Sequence, residues 1–329
     1  MNDFNSLNRD TMIATGICFS NRKIALLTNQ ARWRQIRIET GKLMESFVLK
    51  AYKQLSVELL IQCGANKPTE ALDFCRINPV NKAICFEANP YVAQKYSEYE
   101  LNHKIKYINI GLGSLPDKLR FYVPVGNQKE LSLQGAFSPA KHLKYQESFE
   151  VQVDTLDNLI PPLLSVNAAN LDNLVNTALL IDVEGFSWNV LQGSRKILGL
   201  KSTKIIYIEV QNDNYYWENE KNAQQISDFL EAYDFVPIVR DYPTAPLYNI
   251  VFIKKTELDK LTQLIDSYWF DFTQIRPRFF ERINSRYYLS KVKKMLFLVM
   301  PICFHDYLHQ IFARFGSKSS SSNSRTGNS

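Results

Sequence analysis

Two carboxylates, Asp182 and Glu184, straddle Val183 at the end of an apolar run and are stopped at once by Gly185, within LLIDVEGFSWNVLQGSRKIL (residues 179–198). Acids at the tip of a buried strand, at a sharp turn into a helix, stand where open α/β sheets place their ligands. Such acids suit general-base work on a hydroxyl, with Asp182 first for that post and Glu184 or Glu209, at the end of KIIYIEV (204–210), next. Glu184 has a second reading, as a cap for the helix beginning near Ser187, where negative charge is favourable. Asp182, Glu209 and Asp213 also have the oxygen chemistry of cation ligands, but no spacing rule demands a metal, so a divalent cation is compatible and not predicted. His305 and His309 share a helical face without acids or cysteines around them, as a surface pair does.

Three other strand tips add to this one. IQCGAN (61–66) ends a strand with Gly64, which lets the backbone turn tightly and approach a ligand, and a helix that follows offers its N–H groups. Roughly 20 residues further on, where nucleotide-binding α/β folds put an acid on the ribose hydroxyls, ICFEANP supplies Glu87. INIGLGS (108–114) brings Gly111 and Gly113 to a third tip, leaving room for a flat ring against the backbone. The three tips point at one adenosine-sized ligand. A pyrophosphate fits less well: the first turn reads Gly64, Ala65, Asn66, Lys67, Pro68, Thr69, which is not G-x-G-x-x-G, and no P-loop occurs.

The elements that must carry these tips alternate. Short apolar runs at 57–63, 82–88, 105–111, 178–184, 204–210, 235–240 and 247–255 are rich in Ile, Val, Tyr and Phe, and helical stretches separate several of them. Continuous rather than alternating apolar strands argue for a parallel sheet buried on both faces. DYPTAP is too short for a crossover helix, so the last two strands should pair antiparallel. KLRFYVPVG (118–126) reads as an edge strand, and SFEVQVDTLDNLI (148–160) as a strand turning into a short helix. The fold class is therefore α/β, a mostly parallel seven-stranded sheet with an antiparallel last pair and helices on both faces.

Composition sets the outer bounds. With 329 residues, 45% hydrophobic and 22% charged, the chain is that of an ordinary globular protein with a sizeable core. Its five cysteines are scattered and never spaced C-x-x-C, which speaks against a disulfide framework or zinc site and for a reducing, cytoplasmic setting. No signal-like segment or membrane-length apolar run is evident. The net charge of +6 belongs to the C-terminus: ten Lys/Arg against two acids follow from Arg276, leaving residues 1–275 at −2, so no nucleic-acid partner is expected. Residues 276–315 mix basic, aromatic and aliphatic side chains around Pro301. They read either as a face packed on the domain or as an element that docks on an anionic membrane or a partner. The Ser-rich tail from Gly316 reads as disordered.

IQCGAN, CFEANP, VDTLDNLI and LLIDVEGFSWNVLQGSRKIL, in this order and at these spacings, resemble the FkbM family of S-adenosylmethionine-dependent methyltransferases, with the class I methyltransferase (Rossmann-like) fold. The resemblance covers roughly residues 55–255. It implies four segments: a helical extension (1–55), a methyltransferase domain (56–256), a basic and aromatic helical extension (257–315) and the tail (316–329). It implies S-adenosylmethionine as cofactor, with Gln62, Gly64, Ala65, Asn66, Glu87, Asn89, Gly111 and Asp182 around it. Within that set Gly64 to Asn66 lie against the methionine part, Glu87 on the ribose and Gly111 near the adenine. Asp182 and Glu184 lie beside the methyl group and the acceptor. The family usually has Asp where this chain has Gln62, and Gly where it has Pro68; a neutral amide offers no charge to the cofactor's ammonium or sulfonium. The expected activity is methylation of a hydroxyl on a sugar, glycan or secondary-metabolite-like acceptor. The alternatives are a binding or scaffold protein whose cofactor loop has decayed, and a nucleotide-sugar enzyme on a similar sheet.

Overall fold

The computed structural model describes residues 30–96, 104–124, 135–139, 144–165, 174–211, 217, 220–241 and 247–275. The expectations for residues 1–29, Asp213, the 276–315 element with its histidine pair, and the tail lie outside these. The strands in chain order are β1 (Leu59–Cys63), β2 (Lys82–Glu87), β3 (Ile105–Asn109), β4 (Gly111–Leu112), β5 (Asp117–Pro124), β6 (Tyr145–Asp154), β7 (Thr177–Ile181), β8 (Thr203–Gln211), β9 (Phe235–Arg240) and β10 (Leu247–Lys254). The helices are α1 (Gln30–Gln54), α2 (Thr69–Ile77), α3 (Pro90–Tyr96), α4 (Leu156–Leu163), α5 (Ser187–Gln192), α6 (Arg195–Gly199), α7 (Ala223–Glu231) and α8 (Leu258–Gln274).

The seven apolar runs form one sheet in the order β3-β2-β1-β7-β8-β10-β9. Its first five strands are parallel, and β10 runs antiparallel to both β8 and β9, as the short connection between the last two strands requires. Every residue of β1 and β7 is buried, because helices cover both faces. On one face Leu60, Cys85, Leu180 and Val251 pack with Met44 and Phe47 of α1, Phe74 of α2 and Leu261 and Tyr268 of α8. On the other, Ile61, Phe86, Ile181 and Ile208 pack with Ile160 of α4, Leu191 of α5 and Ile226 of α7. Each such side chain contributes about 1.5–3 kcal/mol by leaving water. Helices α1 and α8 thus share the core of the sheet.

Two local readings change. The run ALLIDVE does not stay extended to Glu184: β7 ends at Ile181, because Glu184 (φ +48°) and Gly185 (φ +82°) turn left-handed. The edge strand expected at 118–126 is the edge of a second, three-stranded sheet, β4-β6-β5, with its own small core of Phe121, Val123 and Val151. That sheet is clamped to the body of the main domain through the segment after β6: the Asp157 carboxylate accepts from Lys196 and Ile197 N–H (2.9 and 3.0 Å), and Asp157 N–H donates to Gly193 O (3.0 Å). A Cβ on Gly193 would sit 2.0 Å from Gly113 O, so only glycine allows this approach. Among the described residues no helix is long and apolar enough to cross a membrane. Cys63, Cys75 and Cys85 are buried free thiols.

Candidate active site

The chain leaves β1 for β2 and β3 on one side and returns to β7 on the other, so a crevice opens beyond the carboxyl ends of β1 and β7. A cavity of about 340 Å³ lies there, within the range of about 300–1,000 Å³ common for small-molecule sites. It collects Gly64, Asn66, Glu87, Gly111, Asp182, Glu184 and Glu209 from five strand tips.

The turn after β1 is fixed by backbone geometry. Gly64 has φ +78°, and a Cβ there would lie 1.8 Å from the Asp182 carbonyl oxygen, so the β1 and β7 turns touch only because position 64 is glycine. Gly64 and Ala65 N–H both donate to Phe86 O at 2.9 Å. Asn66, left-handed at φ +40°, donates its N–H to Glu87 Oε2 (2.8 Å) and accepts from the Tyr107 hydroxyl on its carbonyl (2.6 Å). Glu87 Oε1 accepts from Asn89 N–H (2.8 Å). Burial raises the Glu87 pKa, and the N–H groups of Asn89, Asn66 and Ala88 pull against that rise.

Four expected cofactor residues stand differently from the rest. Ala65 is buried beneath the turn and contributes its N–H to it. The Asn89 side chain accepts from Tyr91 N–H (3.1 Å) at the start of α3, so what it gives the crevice is the backbone bond to Glu87. Gln62 is buried, and its Nε2 donates to Glu70 Oε2 (3.1 Å) at the start of α2. The space Gly111 leaves open is not empty: a Cβ there would meet the Phe137 ring at 2.4 Å, so this aromatic ring fills the gap and walls the cavity.

Carboxylate oxygens of Asp182, Glu184 and Glu209 all lie within 4.8 Å of one another. Grouped this closely, they present acceptor oxygens to one point in the crevice. Asp182 is surrounded by protein yet reaches the solvent filling the crevice. Solvent access governs the open site, whereas enclosure governs it once a ligand displaces that water. The enclosure raises the Asp182 pKa to about 6, and the Glu70 charge adds to the effect.

Glu220 caps α5, accepting from Trp188 N–H (3.0 Å), while its second oxygen is buried with no hydrogen-bond partner among the described residues and burial pushes its pKa up to about 7. Gln211 grips the same segment, donating to Trp217 O (2.9 Å) and Glu220 O (3.0 Å). The Trp217 ring covers Gly185, where a Cβ would lie 2.2 Å from it. Tyr107, Phe137 and Glu220 carried no signal in the sequence: each reaches the site from another element through packing or one hydrogen bond. A second cavity, of about 370 Å³, adjoins the first across Phe137 and is lined by Ser114, Asp117, Arg120, Tyr122, Phe186 and Asn189 among others.

A seven-stranded sheet of this order, with its crevice at the β1–β7 switch point and an acid on the tip of β2, defines a class I methyltransferase. Residues 62–237 match the methyltransferase FkbM domain, more than half the chain, and the protein belongs to that family. S-adenosylmethionine is its methyl donor. The glycine cradle at Gly64 and the buried Glu87 carboxylate, two of whose lone pairs already hold the turn, fit that cofactor. The chain is also similar to the 2-O-methyltransferase NoeI of Sinorhizobium fredii (strain NBRC 101917 / NGR234), 24% identical over 226 residues, covering 64% of this chain and 88% of that protein. Among solved structures it is similar to the magnesium protoporphyrin IX methyltransferase ChlM of Synechocystis PCC 6803 with bound SAM (9% identity, 75% of this chain and 97% of that one, TM-score 0.34). Another is the precorrin-6y C5,15-methyltransferase of Geobacter metallireducens GS-15 (12% identity, 62% and 87%, TM-score 0.31).

Proposed function

We propose that the protein methylates a hydroxyl oxygen of a sugar, glycan or secondary-metabolite-like acceptor. The observation that carries this reading is the carboxylate cluster of Asp182, Glu184 and Glu209 on the acceptor side of the crevice. A hydroxyl must shed a proton to become an effective nucleophile, and a carboxylate within hydrogen-bond reach takes it as general base. When bound, S-adenosylmethionine supplies a methyl group activated by a sulfonium. Gly64 and Asn66, on the turn that Ala65 underpins, would hold its methionine part, Glu87 would accept from its ribose hydroxyls, and the Gly111–Phe137 wall would flank the adenine.

Asp182 takes the acceptor proton. Its raised pKa suits that post, since a base titrating near 6 is deprotonated at neutral pH yet still binds a proton well. Glu184 and Glu209 would accept hydrogen bonds from neighbouring acceptor hydroxyls and so orient the reacting oxygen for transfer. The aromatic and polar lining of the adjoining cavity, with Tyr122 and Phe186 beside Asp117, Arg120 and Asn189, suits the face and hydroxyls of a further sugar unit. A relative named as a 2-O-methyltransferase supports oxygen as the acceptor atom.

The test is transfer of label from methyl-labelled S-adenosylmethionine to a panel of mono- and oligosaccharides, phenolic metabolites and amines. Label recovered as a methyl ether is the expected result. Label recovered only on nitrogen or carbon overturns the reading.

A further inference from the structure

The donor brings two positive groups, a sulfonium and an α-ammonium, and the acids that line the crevice stand at the tips of β2, β7 and β8, none of them on the β1 turn. In the orientation proposed above, with the ribose on Glu87 and the methyl beside Asp182, the aminocarboxypropyl arm would extend over the β1 turn towards the start of α2. At that place the strand offers no charge: position 62 is a glutamine, 2% exposed, and its amide is committed. Gln62 Oε1 accepts from the Cys85 thiol (3.8 Å), and Gln62 Nε2 donates to Glu70 Oε2 (3.1 Å). Glu70 stands in the first turn of α2, two residues beyond Pro68, which starts that helix. Among the described residues neither Glu70 nor Asp182 has a basic partner. Two uncompensated anions flanking one turn favour a cation between or beside them.

We propose that Glu70 is the anionic contact for the α-ammonium of S-adenosylmethionine, held in place by the Gln62 amide and supplying from α2 the charge that position 62 lacks. This rests on the cofactor orientation given above. Glu70 makes no contribution to the chemical step; it is a binding residue, and its carboxylate reads only the amino-acid end of the cofactor. The electrostatic reach is independent of the hydrogen bond: the Glu70 charge is felt at Asp182, across the Gly64 turn. Because Glu70 is exposed, water screens it and the effect is moderate.

Calorimetric titration of the full chain with two probes tests this. S-adenosylhomocysteine carries the ammonium, whereas 5′-methylthioadenosine lacks the whole aminocarboxypropyl arm. Glu70→Gln, on an exposed helical position, should weaken S-adenosylhomocysteine roughly five- to thirtyfold and leave methylthioadenosine unchanged. Returning the charge to the strand, in the double variant Gln62→Asp/Glu70→Gln, should recover most of the loss. Unchanged S-adenosylhomocysteine affinity in Glu70→Gln overturns the proposal, as does an equal loss for both probes, which would mark a structural role. A double variant that stays weak overturns it too, because the loss then follows the shape of the Gln62–Glu70 pair and not the charge. Wild type that binds methylthioadenosine but not S-adenosylhomocysteine refutes the ammonium contact, while wild type that binds neither refutes the cofactor orientation on which it rests.

Discussion

The turns after β1 and β7 face each other across the crevice, and both rely on left-handed backbone, at Gly64 and Asn66 on one side and Glu184 and Gly185 on the other. They differ in how they are held. The β1 turn is fixed from the front: its N–H and C=O groups bond to Phe86, Glu87 and Tyr107, groups that themselves line or adjoin the site. The β7 turn is braced from behind, by the Trp217 ring on Gly185 and by Glu220 on α5, while its carboxylates line the crevice. A surface that must bind one constant ligand gains from being preorganised with every polar group satisfied. A surface that must accept a proton keeps its acid enclosed, at the desolvation cost seen in the raised pKa of Asp182.

That contrast predicts opposite phenotypes. The largest effect belongs to the β7 side: Asp182→Asn should lower kcat by about 10³-fold, in the usual 10²–10⁴ range for a general base, with S-adenosylhomocysteine binding retained. In the wild type, kcat should fall as the pH drops below about 6, where Asp182, enclosed by the bound ligands, takes up its proton, and this limb should vanish from the residual activity of Asp182→Asn. An equal kinetic loss in Glu184→Gln would erase the distinction between base and orienting acid. On the β1 side Gly64→Ala should instead destabilise the fold, by about 4 kcal/mol, because the new Cβ meets a backbone oxygen at 1.8 Å and the residue must stay at φ +78°. Urea denaturation measures this, and an unchanged midpoint would show that the two turns separate without cost.

Much of this arrangement was legible in the sequence because it rests on local chemistry. Runs such as LLIQC and KAICFE are buried on both faces and read as strands whatever surrounds them. Gly64, Glu87 and Asp182 sit at strand ends, where a change from apolar to glycine or acid marks the tip. The rest is decided by tertiary contact. The cap that the helix after β7 needs comes to Trp188 N–H from Glu220, 32 residues further along the chain, which no local pattern marks. Gly111 promises open space, and the Phe137 ring, 26 residues further along the chain, fills it. The conspicuous LQGSRKIL half of the opening segment turns out to be structural, since Gly193, Lys196 and Ile197 dock on Gly113 and Asp157. A motif read as one unit thus divides into a chemical half and a clamp.

The braces behind the β7 turn give a smaller effect with a defined sign. The Glu220 carboxyl titrates near 4.5 when free and about 7 when buried, so between those values the folded state holds a proton that the unfolded state has lost. Its stabilisation is complete below about pH 4.5 and fades as the pH rises through 7, by up to roughly 3 kcal/mol at 1.36 kcal/mol per pKa unit. Glu220→Gln keeps an acceptor for Trp188 N–H and cannot ionise, so its denaturation midpoint should overtake that of wild type above neutral pH. Parallel curves from pH 5 to 8 would mean that Glu220 stays charged in the fold.

The smallest change returns to the β1 turn. Tyr107→Phe removes only the hydroxyl that bonds to Asn66 O at 2.6 Å, and the ring remains in the core between Ile105 and Cys85. One hydrogen bond of this kind contributes about 1 kcal/mol net, and the Asn66 carbonyl that loses it can turn to water in the crevice. The stability loss should therefore be slight. Asn66, however, also donates its N–H to Glu87, so a loosened Asn66 lets the ribose acid move. The cofactor KM should rise about fivefold with kcat nearly constant, since the carboxylates of the β7 turn are untouched. A fall in kcat without a change in KM would show that the two turns act as one unit, and the division between a preorganised binding side and a strained chemical side would then fail.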